Sequence, residues 1–238
     1  MYDRLLDPTL RDQVVRRVSR RKLEEYISEG EGLTIEFKRY FTSGEKIAKE
    51  MIALANTKGG VIIFGVDDDG SIVGIHSEKS ELEEIEHTSK FLCDPPVDVH
   101  CDVIRIDSRN DIVVVTIPES ADKPHTLVEY DASGERKKVI NPQGYVRVGS
   151  KSLHASDEVM KVMRGRRKDA PPLEIAFGHN EKALFAYLHK YERITVDEFA
   201  DLVNISKHRA SKILVDLVRA GSVLIHTIEM REFYTLAP

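Results

Sequence analysis

The stretch ALANTKGGVIIFGVDDDG, residues 53–70, decides how this chain folds. Its first part closes a helix, because Ile47, Ala48, Met51, Ile52 and Ala55 recur at helical spacing over Glu45–Asn56, with Thr42 or Ser43 placed to cap it. Gly59 and Gly60 make a tight helix-to-strand connection. Val61–Val66 is then an unbroken apolar run, which predicts a strand buried on both faces. Asp67-Asp68-Asp69-Gly70 is turn chemistry, and Ile72–Ile75 is expected to return as the partner strand. The glycine pair is not a phosphate-cradling loop: it lacks the Gly-x-x-x-x-Gly-Lys-Ser/Thr pattern, and its helix precedes the glycines. No nucleotide cofactor is expected.

Upstream, Leu33, Ile35 and Phe37 alternate with Thr34, Glu36 and Lys38, the period of a half-buried strand with Glu36 and Lys38 on its polar face. Before it, Leu10–Ser28 has helical spacing and ends at Gly30 and Gly32. Downstream, a helix is expected over Ser80–Leu92, broken by Pro95-Pro96, with strands near Val97–Ile106, Ile112–Ile117 and Gly144–Val148. Pro171, Pro172 and a basic run mark a boundary, so the expected division is residues 1–165, a linker at 166–179, and 180–238. The last part has three helical faces and a terminal hairpin around Met230, the pattern of a winged helix-turn-helix. The fold class is α+β: a mixed-sheet α/β domain followed by a small winged-helix domain.

The 238 residues carry a net charge of −5, which does not advertise a binder of polyanions. The cations are nevertheless clustered, at Arg16, Arg17, Arg20, Arg21 and Lys22, at Arg136–Lys138, and at Arg164–Lys168, while acids concentrate at Glu78–Glu86. The first cluster is either a phosphate-contacting helix face or a solvated one. In the last domain Ser206 can cap a recognition helix, and Lys207, His208, Ser211 and Lys212 lie off its apolar face, where they could enter a major groove. Residues 180–238 hold eight Lys and Arg against eight Asp and Glu. A dedicated DNA reader is normally more basic, so dimerisation is the other reading of this part. Cys93 and Cys101 are too few for a disulfide framework or a four-thiolate zinc site, and no apolar run reaches the roughly 18 residues a membrane span needs. A cytoplasmic setting is expected, with no membrane partner.

Residues 23–157 resemble the Schlafen AlbA-like family, also described as a divergent AAA-type region. The resemblance is carried by Gly30-Glu31 running into Ile35-Glu36-Phe37-Lys38, by Ala53–Thr57 with Gly59-Gly60, and by Phe64–Asp68 with Gly70, Ile72 and Gly74-Ile75. Lys123-Pro124 and Tyr145–Ser150 continue it. It implies a nucleic-acid-binding module. In Schlafen nucleases a glutamate five residues before Glu-Phe-Lys, the Glu of that motif, and an Asp after the Gly-Val strand form a metal-binding triad. Glu31, Glu36 and Asp67 match those positions, with Asp68 the alternative third acid. Carboxylate oxygens suit Mg²⁺ or Mn²⁺, which can activate water at a phosphodiester, and Lys38 would stand beside the metal. The family's nuclease core pairs two such modules, so a single one implies a homodimer.

The expected function is therefore nucleic-acid binding, DNA or RNA, with Lys38, Arg39, Lys123 and Arg147 added to the phosphate-contacting candidates. The alternatives are a Mg²⁺- or Mn²⁺-dependent endonuclease on RNA or single strands, and a transcriptional regulator. Tyr145 is placed either to stack on a base or, as strand aromatics more often do, in the core.

Overall fold

The structure, a computed structural model, describes residues 18–75, 77–107, 110–173, 175, 177–228 and 231–238. Arg16, Arg17 and the first part of the expected Leu10–Ser28 helix lie outside the described residues.

The first body is a four-stranded mixed sheet with helices on both faces. Helix α1 (Arg20–Glu29) starts at Ser19, whose hydroxyl accepts the Lys22 N–H, and stops at Gly30. Strand β1 (Ile35–Lys38) leads to α2 (Gly44–Asn56), capped by Ser43, and then to β2 (Gly59–Phe64). After α3 (Glu78–Phe91) come β3 (Cys93–Asp94), β4 (His100–Arg105) and β5 (Asp111–Pro118). The sheet order is β1-β2-β5-β4, with β1 parallel to β2 and the other pairs antiparallel. Short strands β6 (Thr126–Leu127), β7 (Tyr145–Val148) and β8 (Lys151–His154) finish this body.

Alternation along β2 builds two cores. Ile62 and Phe64 face α2 and α3, where Met51, Ile52, Leu54 and Ile85 are fully buried. Val61 and Ile63 face the other way, with Ile35, Phe37 and Leu23 of α1. Each such side chain removed from water contributes about 1.5–3 kcal/mol, so the run at 61–64 is the keel of the domain. The glycine pair turns because nothing larger fits: a Cβ on Gly60 would stand 2.2 Å from the Thr34 carbonyl oxygen, and Gly59 has a φ of 71°.

Ile72–Ile75 does not form the expected partner strand. Among the described residues it makes only isolated bridges, Val66 to Ile72 and Ile75 to Asp111. Val73 and Gly74 both donate their N–H groups to the Gly65 carbonyl, and Gly65 and Gly74 have positive φ, so the chain curls where a ladder would need extended backbone.

The second body contains α5 (His179–Tyr191), α6 (Val196–Val203), α7 (Lys207–Arg219) and the hairpin β9 (Val223–Ile228) with β10 (Arg231–Leu236). Its core holds Leu184, Leu188, Phe199, Leu214, Leu217, Val223 and Tyr234. Ser206 caps α7, as expected. Between the bodies runs α4 (Asp157–Gly165), capped by Ser156. Its Val162 packs into the second core, and Arg219 returns a hydrogen bond to the Gly165 carbonyl. Ser211 is therefore not available to a groove: it is buried and donates to Glu158 of α4 at 2.7 Å.

Candidate functional site

Strand β1 delivers Glu36 and Lys38 to one face, but that face is not solvated. Glu36 is buried, and its two oxygens are both engaged, one by Lys38 and the other by Arg147 at 2.8 Å. Arg147 comes from β7. Its side chain is fully buried and also reaches Glu50 of α2 at 2.9 Å and Ser152 of β8 at 3.2 Å. The expectation that Arg147 contacts phosphate is thus corrected. The guanidinium is the internal counter-ion of two carboxylates, and a fork of five donors fits that role. Lys38 is mostly covered, donating to Glu36 and to the Phe37 carbonyl.

Glu31 reaches back from the turn before β1, and its Oε1 accepts the Phe37 N–H at 3.0 Å. Burial holds its carboxyl above the usual range, opposed by that N–H and reinforced by Glu36. Asp67 lies after β2, where it pairs with Arg39 at 3.2 Å and accepts the Asp68 N–H. The three acids therefore have three separate employments. Among the described residues no group of three or more His, Cys, Asp or Glu side chains is placed to hold a metal ion. Glu31, Glu36 and Asp67 are thus not gathered into a three-carboxylate Mg²⁺ or Mn²⁺ centre.

The turn between α2 and β2 is held by side chains that sequence reasoning left without a role. Asn56 is buried, donates to the His125 and Tyr145 carbonyls at 2.9 and 3.0 Å, and accepts the His125 N–H at 2.8 Å. Thr57 accepts the Arg147 N–H at 2.9 Å, and its carbonyl accepts Lys123 at 2.7 Å. Tyr145 is core, with Lys49 over its ring at 5.9 Å. His125 is buried, donating from Nδ1 to the Pro95 carbonyl and accepting from Ser120 at Nε2. Burial keeps its pKa below the ordinary value, outweighing the carbonyl contact. The unfolded chain takes up a proton near pH 6.5 that the folded chain refuses until lower pH. The stability His125 contributes is thus present above about pH 6.5 and is lost as pH falls through its folded value. Urea denaturation at pH 7.5 and pH 5.5 should show this loss, and His125→Gln should remove that part of it.

Beside this turn lies a cleft of about 820 Å³. Its walls come from the α2–β2 turn (Lys58), the segment Glu119–Lys123, β7, α4 with Arg166 and Lys168 beyond it, and β9. Five cations line it against one carboxylate, Glu119, which is already paired with Lys123. Arg147 is neutralised below. Arg166 donates only to the Val218 carbonyl, and Lys58 and Lys168 have no partner among the described residues. The other basic candidates are spent more locally. Arg20 and Arg21 pair with Glu24 and Glu25, Lys207 with Asp197, Arg136 with Asp94 and Lys137 with Glu129. Such exposed pairs contribute at most about 1 kcal/mol each and leave the local field weak. His208 and Lys212 are exposed on α7. The sequence reading missed the helix at 157–165, which the Ser156-Asp157-Glu158 cap signals, and it is this helix that closes the cleft.

The model of the family described as Schlafen, AlbA_2 matches residues 31–156, more than half of the chain and the whole of the β1–α2–β2 region just described. The chain belongs to the Schlafen AlbA_2 family. Two solved structures are also similar. The DIP2311 protein from Corynebacterium diphtheriae is 16% identical over 89% of this chain and 38% of its own, with a TM-score of 0.46. The N-terminal domain of a RecG-related protein from Nitrosomonas europaea is 19% identical over 66% of this chain and 92% of its own, with a TM-score of 0.36. The chain spans little more than a third of the length of the first of these. No curated protein matches it. In this AlbA_2 module the glycine pair, Asn56 and the Glu36–Arg147 pair all serve the junction of α2, β2 and β7. No helix among the described residues is long and apolar enough to cross a membrane.

Proposed function

We propose that this AlbA_2 protein binds nucleic acid through the cleft between its first body and its C-terminal helices, with Lys58, Lys123, Arg166 and Lys168 meeting phosphates. The observation that carries the reading is local charge. The chain is acidic overall, at −5, yet this cleft gathers five cations, of which Lys58, Arg166 and Lys168 have no acidic partner among the described residues while Lys123 pairs with Glu119 and Arg147 with Glu36 and Glu50. A polyanion is drawn by the field where it docks, and the release of its counterions supplies the affinity.

The C-terminal unit is read as a winged helix-turn-helix. This is supported by the order α5, α6, α7 and hairpin, and by the bridge from Ile194, between α5 and α6, to Tyr234 of β10. Its exposed His208 and Lys212 would add contacts to the same ligand, and its neutral balance suits contacts to a second copy. The homodimer rests on the family's pairing of modules. Cleavage is not part of this reading, because the three acids are not gathered into a metal-holding group among the described residues. Fluorescence anisotropy against DNA and RNA over a salt series tests the proposal. Binding should fall linearly in log–log form with a slope of several units. Absence of binding, or affinity indifferent to salt, overturns it, and cleavage in Mn²⁺ that Glu36→Gln abolishes would install the nuclease reading instead.

A further inference from the structure

A second cavity, of about 340 Å³, opens at the carboxyl ends of β1 and β2, the end where α/β sheets place their ligands. It lies at the opposite end of β2 from Lys58, about 20 Å away at 3.3 Å per residue. Arg39, Tyr40, Ser77, Ser80, Glu81 and Asn110 are among its walls. Its cation is paired and its carboxylate is hydrogen-bonded to backbone. Arg39 pairs with Asp67 at 3.2 Å, and both Glu81 oxygens accept the Phe41 N–H at 3.1 and 3.2 Å. The rest of the wall is uncharged, with one large aromatic face. Tyr40 is 58% exposed and has no hydrogen-bond or ring partner among the described residues. The next residue is anchored, for Phe41 packs against the first core with its ring 6.3 Å from Phe64. The backbone at Tyr40 is therefore held while its side chain is left uncovered.

A cavity whose one cation is paired and whose one carboxylate has no cationic partner, with an uncovered phenol ring on an anchored backbone, suits a flat heterocycle with hydrogen-bonding edges better than it suits a phosphate. Resting on the nucleic-acid reading above, we infer that this cavity receives an unpaired nucleobase stacked on Tyr40, so that the preferred ligand is single-stranded. A paired base has both faces covered within its duplex and cannot enter. The two sites divide the labour, with the cleft holding the backbone through charge and the cavity holding a base through contact.

The chain has no tryptophan, which supplies a clean reporter. Tyr40→Ala, Tyr40→Phe and Tyr40→Trp are compared with the native chain on a labelled oligo(dT) and on a duplex of equal length. Loss of the stacking face should weaken oligo(dT) binding by about tenfold or more in Tyr40→Ala. It should leave duplex binding and the salt slope unchanged, since the cations that meet phosphate are untouched. Tyr40→Phe should stay within about twofold because it keeps the face. The emission of Tyr40→Trp should be quenched by oligo(dT) and not by the duplex. If the native chain binds nucleic acid but Tyr40→Ala matches it, or single strand and duplex weaken alike, the stacking inference fails and the function stands. If Tyr40→Trp emission does not respond to oligo(dT), the result is the same. A native chain that binds neither ligand removes both.

Discussion

Replacing Arg147 by methionine is expected to lower the free energy of unfolding by about 3–5 kcal/mol, the range found when one partner of a buried ion pair is removed. The reason is what remains behind. Glu36 and Glu50 converge on one guanidinium nitrogen at 2.8 and 2.9 Å, and without it two acids face each other in a covered site with only Lys38 and Ser152 near them. Methionine fills much of the volume, so the loss reports charge more than packing. The deficit should shrink as pH is lowered through the carboxylate range, because protonation relieves the stranded acids. Chemical denaturation of both forms at pH 7 and pH 4.5 checks this. A deficit below about 1 kcal/mol would show that the network is dispensable, and a deficit that does not change with pH would show that shape matters there and charge does not.

The second large effect is on binding. Lys58→Glu combined with Lys168→Glu should reduce the salt dependence of nucleic-acid affinity by about two units of slope, one for each phosphate no longer neutralised. Both side chains are exposed and unpartnered among the described residues, so their replacement disturbs no internal contact. Melting temperatures should therefore stay level while affinity drops at every salt concentration. As a control, Arg20→Glu with Arg21→Glu alters the same formal charge on a helix whose cations are already paired with Glu24 and Glu25. If that control weakens binding as much as the cleft pair does, the surface acts through its total charge and the cleft has no special part.

The elements were legible where periodicity is strong. The run at Val61–Val66, the alternation at Ile35–Phe37, the stripe of α2 and the faces of α5 to α7 each report their own burial through local spacing. The site was less legible, because what decides it is distant in sequence. Arg147 sits in a strand pattern that looks the same whether its side chain faces solvent or core, and its partners lie 111 and 97 residues away. Glu36 shares the difficulty: in isolation Glu-Phe-Lys reads as a polar face, and only α2 and β7 closing over it make it interior. Asn56 and His125 bind each other across 69 residues, a reciprocal arrangement with no local signature. Ile72–Ile75 failed for a local reason, since the positive-φ glycines before it, at Gly70, and within it, at Gly74, outweigh the β-branched residues beside them.

Helix α4 has a consequence for how this chain can be divided. By sequence it ends the first domain, yet its Val162 is a plank in the hull of the second, and Arg166 and Arg219 lash the two together across 52 and 54 residues. A protease cut near residue 165 would strip that plank away and leave an oily seam on α7, so the freed C-terminal piece would clump, whereas a cut before Ser156 would release it watertight.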